Sequence, residues 1–339
     1  MKEYKDYKNV DEQIEYLKEN KKIRVVPEEK KYFEQRNYIE LINPYKELFC
    51  YGRNEKNKHI YKDEISFSSI LELNHLDDCI CDSLSPLIRN FEKKFRNRLL
   101  LEICENYKNS DFNDQKGICY VEDIEQVLAG NNLSPIIGPN FSYKLKKNEG
   151  YVEEDPKQIA KKKDLLKKIK NIGTDEEAEN YKTNLPIRNA IKSQGVAPFW
   201  LIMSVLNYGD LQILFTMQNR ETQTKIMNHF KIGVEGEKNI FKFQGDIELI
   251  RKLRNTINHY SPIFPIILGE MTKKIEDHKI LKIICFLKKQ ESLFEGLRTN
   301  KIPNLNYKYE ENKVFGIPLT SFNKKKFHLI EEIINQLNS

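Results

Sequence analysis

The chain has 339 residues with a net charge of +6, 39% of them hydrophobic and 31% charged, which excludes a disordered chain and allows one large domain or two ordinary ones. The mild positive charge permits nucleic-acid binding without requiring it, and six cysteines without a C-x-x-C pair exclude a disulfide framework and a zinc pattern. Because the N-terminus is charged and no apolar run approaches the roughly 20 residues that span a bilayer, we expect a cytoplasmic protein without a membrane anchor.

Apolar residues spaced three and four apart, together with only 14 glycines, predict an all-α fold. The long helix over 66–104 is expected to break near Pro86, because proline suits a first helical turn. A surface loop is expected over 51–62, and a short hairpin or a loop over 301–319. The expected helices cover residues 10–20, 27–42, 66–104, 246–260, 271–290 and 327–337. The first of them is expected to start at Asp11. The apolar block over 197–217 is expected to lie in the core.

The segment 142–184 departs from the rest of the chain, because it holds 11 Lys and 9 acidic residues with few large apolar side chains. Its few large apolar residues are spaced so that they would lie along one side of a helix. They are Ile159, Leu165, Leu166, Ile169 and Ile172. The surrounding lysines indicate either a solvated helix or loose linker, or a contact with an RNA backbone. The candidate RNA contacts in this Lys-rich insertion are Lys161, Lys162, Lys163, Lys167 and Lys168.

The most informative stretch is GDIELIRKLRNTINHYSP, residues 245–262. Asp246 is expected to cap a helix that ends before Pro262, with a buried stripe of Ile247, Ile250, Leu253 and Ile257. Asn255 and His259 are four apart and share a face, whereas Arg254 lies about 140° from His259 around the axis. Only a side chain as long as arginine brings both groups to one phosphate. The negative end of the helix dipole favours the protonated form of His259.

Arg, Asn, three residues and then His form the pattern of the HEPN ribonucleases, which this helix resembles. The resemblance implies a metal-independent endoribonuclease without a cofactor, in which the RNA 2′-OH attacks its adjacent phosphate. It implies that His259 transfers a proton or organises the site, that Arg254 holds the phosphoryl charge, and that Asn255 orients the histidine or the phosphate. HEPN sites are typically built from two Arg/His pairs, so the resemblance also implies a homodimer.

The spacing alone is weak evidence, because a second match occurs elsewhere in the chain. Arg53, Asn54 and His59 lie in the hydrophilic stretch over 51–62, which lacks a helical period, and we interpret that match as accidental. For Arg254 and His259, the alternative interpretation is a polar helix face whose terminal histidine caps backbone carbonyls.

A second pattern lies upstream: Pro198, Phe199 and Trp200 open an apolar helix that ends in an Asn-Tyr-Gly turn over 207–209. Together with the Arg254 helix, this pattern resembles bacterial abortive-infection proteins of the AbiD/AbiF type. The segments DEQIEYLKEN, INPYK, SFSSILELNHLDD and FEKKFRNRLLLEI are similar to the N-terminal half of that family. We interpret Trp200 as core packing without a role in chemistry. The resemblance implies a phage-defence protein that binds RNA, associated with a structured noncoding RNA.

The implied architecture is a HEPN-like helical bundle with additional N-terminal helices and the Lys-rich insertion. Arg96 and Arg98 of the FEKKFRNRLLLEI helix, and Arg251, are further candidate RNA contacts. The expected parts are an N-terminal helical region over 1–75, helices packing on the HEPN core over 76–141, the charged insertion over 142–184, and the HEPN-containing core over 185–339.

Three functions remain open from the sequence. The first is an RNA-regulated endoribonuclease used in phage defence, and the second is a non-catalytic RNA-binding protein whose pocket only holds the RNA backbone. The third is an interaction or sensor module that recognises a phage component. Other chemistries have little support, because the chain has no G-x-x-x-x-G-K-[ST], G-x-G-x-x-G, G-x-S-x-G or HExxH motif, and we expect no metal site.

Overall fold

The computed structural model describes residues 7–108, 143–146, 150–153, 156–174, 184–230, 237–269, 278–291, 313–314, 317–321 and 323–338. These residues are mostly helical, which confirms the predicted all-α class. The α-helices are α1 Val10–Lys21, α2 Lys30–Gln35, α3 Tyr38–Leu41, α4 Lys46–Phe49, α5 Phe67–Lys108, α6 Pro156–Thr174, α7 Leu185–Gln194, α8 Phe199–Val205, α9 Tyr208–Met217, α10 Arg220–His229, α11 Glu237–Asn258, α12 Phe264–Gly269, α13 Lys279–Glu291 and α14 Lys324–Asn338.

The strands of the described ranges are short and form two-stranded pairs. They are β1 Ile23–Arg24, β2 Gly52–Arg53, β3 His59–Ile60, β4 Ile65–Ser66, β5 Tyr143–Lys146, β6 Gly150–Glu153, β7 Lys313–Val314 and β8 Ile317–Pro318. β1 pairs with β4 in parallel, and the pairs β2–β3, β5–β6 and β7–β8 are antiparallel. The hydrophilic stretch expected as a loop over 51–62 therefore contains a small hairpin.

Side-chain caps decide where the first helices begin. Asn9, rather than Asp11, starts α1, because its side chain and that of Glu12 bond reciprocally to the backbone as a capping box. The single helix expected over 27–42 is wrong. The expected helix is interrupted at Asn37. The side-chain oxygen of this residue accepts the Ile39 N–H at 2.9 Å and caps the start of α3.

The expected break of the long helix at Pro86 is also wrong, since α5 runs without interruption for 42 residues. Pro86 lies on the exposed side of this helix, where water can bond the carbonyl that proline leaves without an N–H partner. Burial of Leu84, Leu87 and Ile88 on the opposite side keeps the two halves of α5 in one helix.

The later helices agree with the sequence except at their starts. α11 begins at Glu237, so Asp246 lies inside the helix and not at its cap. α13 and α14 confirm the two expected C-terminal helices, and the β7–β8 hairpin falls within the range 301–319. The rest of that range, 301–312, and the expected helical start at 271–277 lie outside the described residues.

Two compact units make up the chain. Unit one comprises residues 1–89 and 252–339, and unit two comprises residues 90–251. The four-part division at residues 75, 141 and 184 stays a prediction. None of the described helices is long and apolar enough to cross a membrane.

Unit two is built around an aromatic cluster centred on Phe95. Its ring lies 5.7–6.3 Å from the rings of Phe91, Tyr208, Phe215, Phe230 and Phe243. All six side chains are fully buried, at 1% exposure or less. Helix α6 packs on α7, α8 and α9 of this unit, so the part of the Lys-rich segment over 156–174 is a packed helix and not a loose linker.

Unit one has its own core, in which aromatic pairs join separate helices. Phe33 of α2 stacks on Phe67 of α5 with ring centroids 4.8 Å apart, and Tyr45 meets Phe264 edge-on at 5.5 Å. The C-terminal helix α14 packs on α13. The end of α11, with Arg254 and His259, belongs to this unit.

Candidate functional site

The apolar stripe of α11 ends just before the helix does. Ile247, Ile250 and Leu253 are fully buried, because they lie three apart on one side of the helix. Ile257, one turn further on, is only half-buried, and the residues from Asn258 to Ser261 are exposed. The last turn of α11 is therefore open to solvent.

Arg254, Asn255 and His259 lie in and just after this last turn, and Asn255 contacts both of the others. Its backbone carbonyl accepts the His259 N–H at 3.0 Å, and its side-chain oxygen accepts Arg254 Nη1 at 3.4 Å. Arg254 and Asn255 are half-buried, whereas His259 is exposed. The bond to His259 is the ordinary backbone bond of a helix, so the side chains that the structure joins are those of Arg254 and Asn255, while His259 is exposed to solvent.

Helix α11 ends immediately after His259 through a residue in the left-handed conformation. Tyr260 has a φ of 53°, the Ser261 N–H bonds the Thr256 carbonyl at 3.0 Å, and the Tyr260 N–H bonds the Ile257 carbonyl at 3.1 Å. This pair of bonds is a Schellman motif, which usually has glycine at the left-handed position. A tyrosine costs about 1 kcal/mol there, and this one is 95% exposed. His259 therefore precedes a fixed and strained turn.

Asp77 of α5 anchors the segment that follows this turn. Its carboxylate accepts the Ile263 N–H, at 2.9 and 3.1 Å from its two oxygens, and the Tyr45 hydroxyl at 3.0 Å. Burial raises the pKa of Asp77 to about 7, although these hydrogen bonds act in the opposite direction. Sequence reasoning missed this residue. The available signal was a carboxylate inside an apolar row spaced three and four apart, formed by Ile70, Leu73, Asp77, Ile80 and Leu84.

A cleft of about 770 Å³ lies in unit one beside the end of α11. Arg254, Asn255 and His259 are not among its lining residues, although Asn258 and Tyr260 are. Acidic groups outnumber basic ones, so the cleft is poorly suited to phosphate. The charged lining residues are Glu40, Asp77, Asp78, Asp82, Arg36 and Arg89.

The second Arg-Asn…His match lies in the β2–β3 hairpin, where Arg53 and His59 are partners across the two strands. Both side chains bond the same oxygen of Glu47, His59 at 2.6 Å. Lys326 of α14 bonds the other oxygen at 2.9 Å. Burial alone would raise the pKa of Glu47, but the hydrogen bonds from His59, Lys326 and Arg53 lower it to about 2. This arginine and this histidine therefore serve an internal ion-pair network.

Glu47, Cys50 and His59 are also the group of potential metal ligands found among the described residues, with ligand atoms within 4.8 Å of one another. Their surroundings do not fit a metal ion. The Glu47 carboxylate is already bonded by Arg53 and Lys326, and burial raises the pKa of the Cys50 thiol, which opposes the thiolate form that binds metals.

Arg96, predicted as an RNA contact, is directed into unit two. Its guanidinium donates to the backbone carbonyls of Met203 and Leu206, the latter at 2.7 Å, and to Glu92 at 3.0 Å. These carbonyls lie at the C-terminal end of α8, where backbone acceptors lack helical partners. Arg96 therefore caps α8.

Arg98 and Arg251 are also paired with carboxylates of their own helices. Arg98 bonds Glu102, which is buried. Arg251 bonds both oxygens of Glu248, at 2.8 and 2.7 Å. A phosphate has to compete with these carboxylates, so both arginines are weaker candidates for RNA than their sequence positions indicate.

The five candidate lysines of α6 divide into two groups. Lys162 is buried at 3% exposure, and Lys168 bonds the Asp210 carboxylate at 2.6 Å. Asp210 also completes the capping box of Asn207 at the start of α9, so Lys168 supports a structural contact. The lysines that remain exposed to solvent are Lys161, Lys163 and Lys167.

Trp200 was expected in the core, and this expectation is wrong, since the residue is 56% exposed. The seven residues of α8 bury Phe199, Ile202 and Met203 on one side. Trp200 and Ser204 lie four apart on the other side, and both are exposed. Because most residues of this block are apolar, the sequence did not indicate which side of α8 faces solvent.

The described residues thus define a helical protein with an Arg-Asn-x-x-x-His sequence at one accessible helix end. The family model described as Abi-like protein matches residues 31–265, more than half of the chain. The chain therefore belongs to the Abi-like family, which confirms the expected relationship to abortive-infection proteins at the level of the family and points to abortive infection, a form of phage defence. No curated protein and no solved structure gives a match.

Proposed function

We propose that this Abi-like protein is a metal-independent endoribonuclease of abortive infection, with Arg254, Asn255 and His259 in its site. The observation that carries the proposal is the solvent-exposed end of α11, where Arg254 Nη1 bonds the Asn255 side chain at 3.4 Å and His259 is exposed one helical turn after Asn255. The resemblance of this helix to the HEPN ribonucleases supports the same assignment.

In the proposed reaction the RNA 2′-oxygen attacks the adjacent phosphorus while its proton passes to a base. The P–O5′ bond breaks, and the leaving 5′-oxygen receives a proton. The products are a 2′,3′-cyclic phosphate and a 5′-hydroxyl end. His259 serves as one of the two proton-transfer groups, and Arg254 stabilises the charge that develops on the phosphoryl oxygens.

A second copy of the chain completes this chemistry in our proposal. The reaction needs a base and an acid, and the α11 pattern supplies one histidine per chain. A symmetric dimer brings two Arg254/His259 pairs to one composite site. Specific activity is then expected to fall on dilution, in step with dissociation measured by size-exclusion chromatography with light scattering.

The test is cleavage of labelled single-stranded RNA by the wild-type protein and by His259→Ala, with EDTA present. Wild type is expected to form 2′,3′-cyclic phosphate ends, and His259→Ala to be at least about 100-fold slower. His59→Ala, from the other Arg-Asn…His match, is the matched control and should cut normally. Equal cleavage by wild type and His259→Ala, both folded by circular dichroism, would contradict the proposal.

The exposed lysines of α6 favour a second candidate function, RNA binding without cleavage. In that case no product forms at any protein concentration, and Arg254→Ala weakens RNA binding. The affinity then falls steeply as salt rises from 50 to 200 mM, because phosphate contacts release counterions.

We also propose a structured noncoding RNA as partner, on the strength of the resemblance to the AbiD/AbiF type. Sequencing the RNA that copurifies with wild type and with His259→Ala tests this point. One abundant RNA in both samples is the expected result, and two RNA-free samples would contradict it.

A further inference from the structure

A tryptophan on the surface of unit two is the feature that the proposed nuclease site leaves unexplained. Trp200 is 56% exposed, while its neighbours Phe199, Ile202 and Met203 are exposed by 1% or less. A single exposed aromatic residue is not by itself a binding site, so the residues beside Trp200 decide whether its ring can meet a ligand.

The helix packed against α8 is strongly basic. α6 contacts α8, and the Ala197 N–H bonds the Gly173 carbonyl at 2.7 Å, which joins the end of α6 to the chain three residues before Trp200. The 19 residues of α6 include seven lysines and one aspartate. The rest of the segment 142–184 has four lysines and eight acidic residues. Positive charge is therefore concentrated on the helix that packs beside Trp200.

Several of these lysines face solvent. Lys163 and Lys167 are exposed and lie four residues apart on the side of α6 opposite its buried residues. Lys167 lies six residues before Gly173, which corresponds to about 9 Å along the helix. Helix α7 packs on both α6 and α8 and contributes an exposed lysine, Lys192, in its last turn. Helix α8 thus carries an exposed aromatic ring, and the two helices packed on it, α6 and α7, carry exposed lysines.

We propose that Trp200, Lys163, Lys167 and Lys192 form a binding surface for single-stranded RNA. The indole stacks on one base, and the lysines bind the neighbouring phosphates, as on surfaces that bind single strands without sequence preference. Duplex RNA keeps its bases stacked inside the helix and cannot offer such a face. The inference does not depend on cleavage, because the residues belong to unit two and Arg254 and His259 belong to unit one.

Trp200 is the only tryptophan of the chain, so its fluorescence reports on this surface alone. The full-length His259→Ala protein, freed of bound nucleic acid in high salt, is titrated with a 12-nucleotide oligo(A) RNA. Saturable quenching of tryptophan fluorescence is expected, with an affinity that drops steeply with salt. Duplex RNA of the same length and inorganic polyphosphate are expected to quench weakly, because they offer charge without accessible bases.

Variants then separate stacking from charge. With a fluorescein-labelled oligo(A) and anisotropy as readout, Trp200→Leu is expected to bind about 5- to 100-fold more weakly. The double variant Lys163→Gln/Lys167→Gln is expected to bind more weakly with a shallower salt dependence. Leu185→Ala is the matched control, since Leu185 is an exposed apolar residue of α7 without an aromatic ring, and it should bind within about twofold of the parent.

Two results would overturn the inference. One is binding of oligo(A) by anisotropy without any change in tryptophan fluorescence. The other is an unchanged affinity of a folded Trp200→Leu protein, which would leave the indole to a protein partner. Loss of cleavage by His259→Ala is measured separately, so failure of this inference and failure of the proposed nuclease function are distinguishable.

Discussion

The two Arg-Asn…His segments of this chain share the same three residue types at similar spacing, but their structural surroundings differ. In the β2–β3 hairpin, Arg53 and His59 face each other across two strands and both bond Glu47. At the end of α11, Arg254 bonds the neutral side chain of Asn255, and His259 is exposed. Spacing in sequence therefore does not decide whether such a pair can meet a ligand. The secondary structure around the pair and the exposure of its histidine decide it.

The two segments also differ in the acid that holds them. Hydrogen bonds from His59, Lys326 and Arg53 keep the pKa of Glu47 at about 2, whereas burial raises the pKa of Asp77, behind the α11 turn, to about 7. The Glu47 carboxylate is ionised and accepts hydrogen bonds from Arg53 and His59. The other, Asp77, binds the Ile263 backbone N–H and the Tyr45 hydroxyl.

The largest expected effect compares Arg254→Ala with Arg53→Ala in RNA cleavage. Removing Arg254 takes away a donor to the developing phosphoryl charge, and we expect the rate to fall by about 100- to 1000-fold. Arg53→Ala should cut within about twofold of wild type, because its guanidinium serves Glu47. The measurement is the single-turnover rate on a labelled RNA. Equal losses in two folded variants would remove the distinction between the segments.

The next effect is on stability, and Glu47→Gln measures it. The substitution removes the negative charge of the carboxylate that Lys326, which is 9% exposed, bonds at 2.9 Å, and it is expected to lower the free energy of unfolding by about 3 kcal/mol. Because the folded pKa is lowered from 4.5 to about 2, this stabilisation is full above pH 4.5 and is lost as the pH falls through 2. Urea unfolding at pH 7 and at pH 3 checks both statements.

Glu55→Gln is the matched control for this prediction, since Glu55 is an exposed acid of the same hairpin. Its cost should stay below about 0.5 kcal/mol at either pH. A Glu47→Gln protein as stable as this control at pH 7 would show that the hairpin network adds little, and that the accessibility of Arg53 has to be judged again.

Asp77→Ala tests the anchor behind the α11 turn. It leaves the buried Ile263 N–H and Tyr45 hydroxyl without their acceptor, so we expect a loss of about 2 kcal/mol. Asp77→Asn keeps one acceptor and should cost less. The raised pKa gives the opposite sign to Glu47: the stabilisation by Asp77 is full below about pH 3.8 and is lost as the pH rises through 7. Wild type should therefore lose stability relative to Asp77→Asn between pH 5 and pH 8.

The neighbouring acid offers a close control. Asp78 lies 3.4 Å from Arg36, and both side chains are at least half exposed, so Asp78→Ala should cost no more than about 0.5 kcal/mol. Equal effects of the Asp77 and Asp78 variants would contradict the role of Asp77 as an anchor.

Local patterns predicted most of the helices, because burial on one side of a helix leaves a period of three and four residues in the sequence. The C-terminal helix α14 and the stripe of Ile247, Ile250 and Leu253 are examples. The patterns failed where a distant group decides the outcome. From the sequence, Arg96 is a surface arginine, and only the fold shows that the carbonyls at the end of α8 lie beside it. The apolar row around Asp77 indicates that this acid is buried, but its partner, the Ile263 N–H, lies 186 residues away and has no local signal.

The candidate site shows the same division between local and distant information. The spacing of Arg254, Asn255 and His259 could be read from the sequence, because it depends on one helix. The exposure of Trp200 could not, because α8 has too few residues for its apolar composition to indicate an outer face. Likewise the burial of Lys162 depends on how α6 packs in unit two, which lysine content does not indicate.

The smallest expected effect concerns the two left-handed turns, one in each segment. Tyr260 after α11 has a φ of 53°, and Asn57 in the hairpin has a φ of 58°. Tyr260→Gly is expected to raise the free energy of unfolding by about 1 kcal/mol, because glycine adopts this conformation without steric cost. Asn57→Gly should change it by only a few tenths of a kcal/mol, because asparagine tolerates the left-handed region far better than tyrosine does.

Urea unfolding followed by far-UV circular dichroism measures both variants at pH 7. Tyr260→Asn adds an intermediate case, expected to recover most of the gain of Tyr260→Gly. If neither variant at position 260 stabilises the protein, contacts of the tyrosine in the folded state offset the free-energy cost of its left-handed backbone conformation. If both do, the chain retains a strained aromatic residue directly beside His259, and strain of this kind is concentrated at functional sites. That outcome would favour the α11 turn, rather than the hairpin, as the place where the protein meets its substrate.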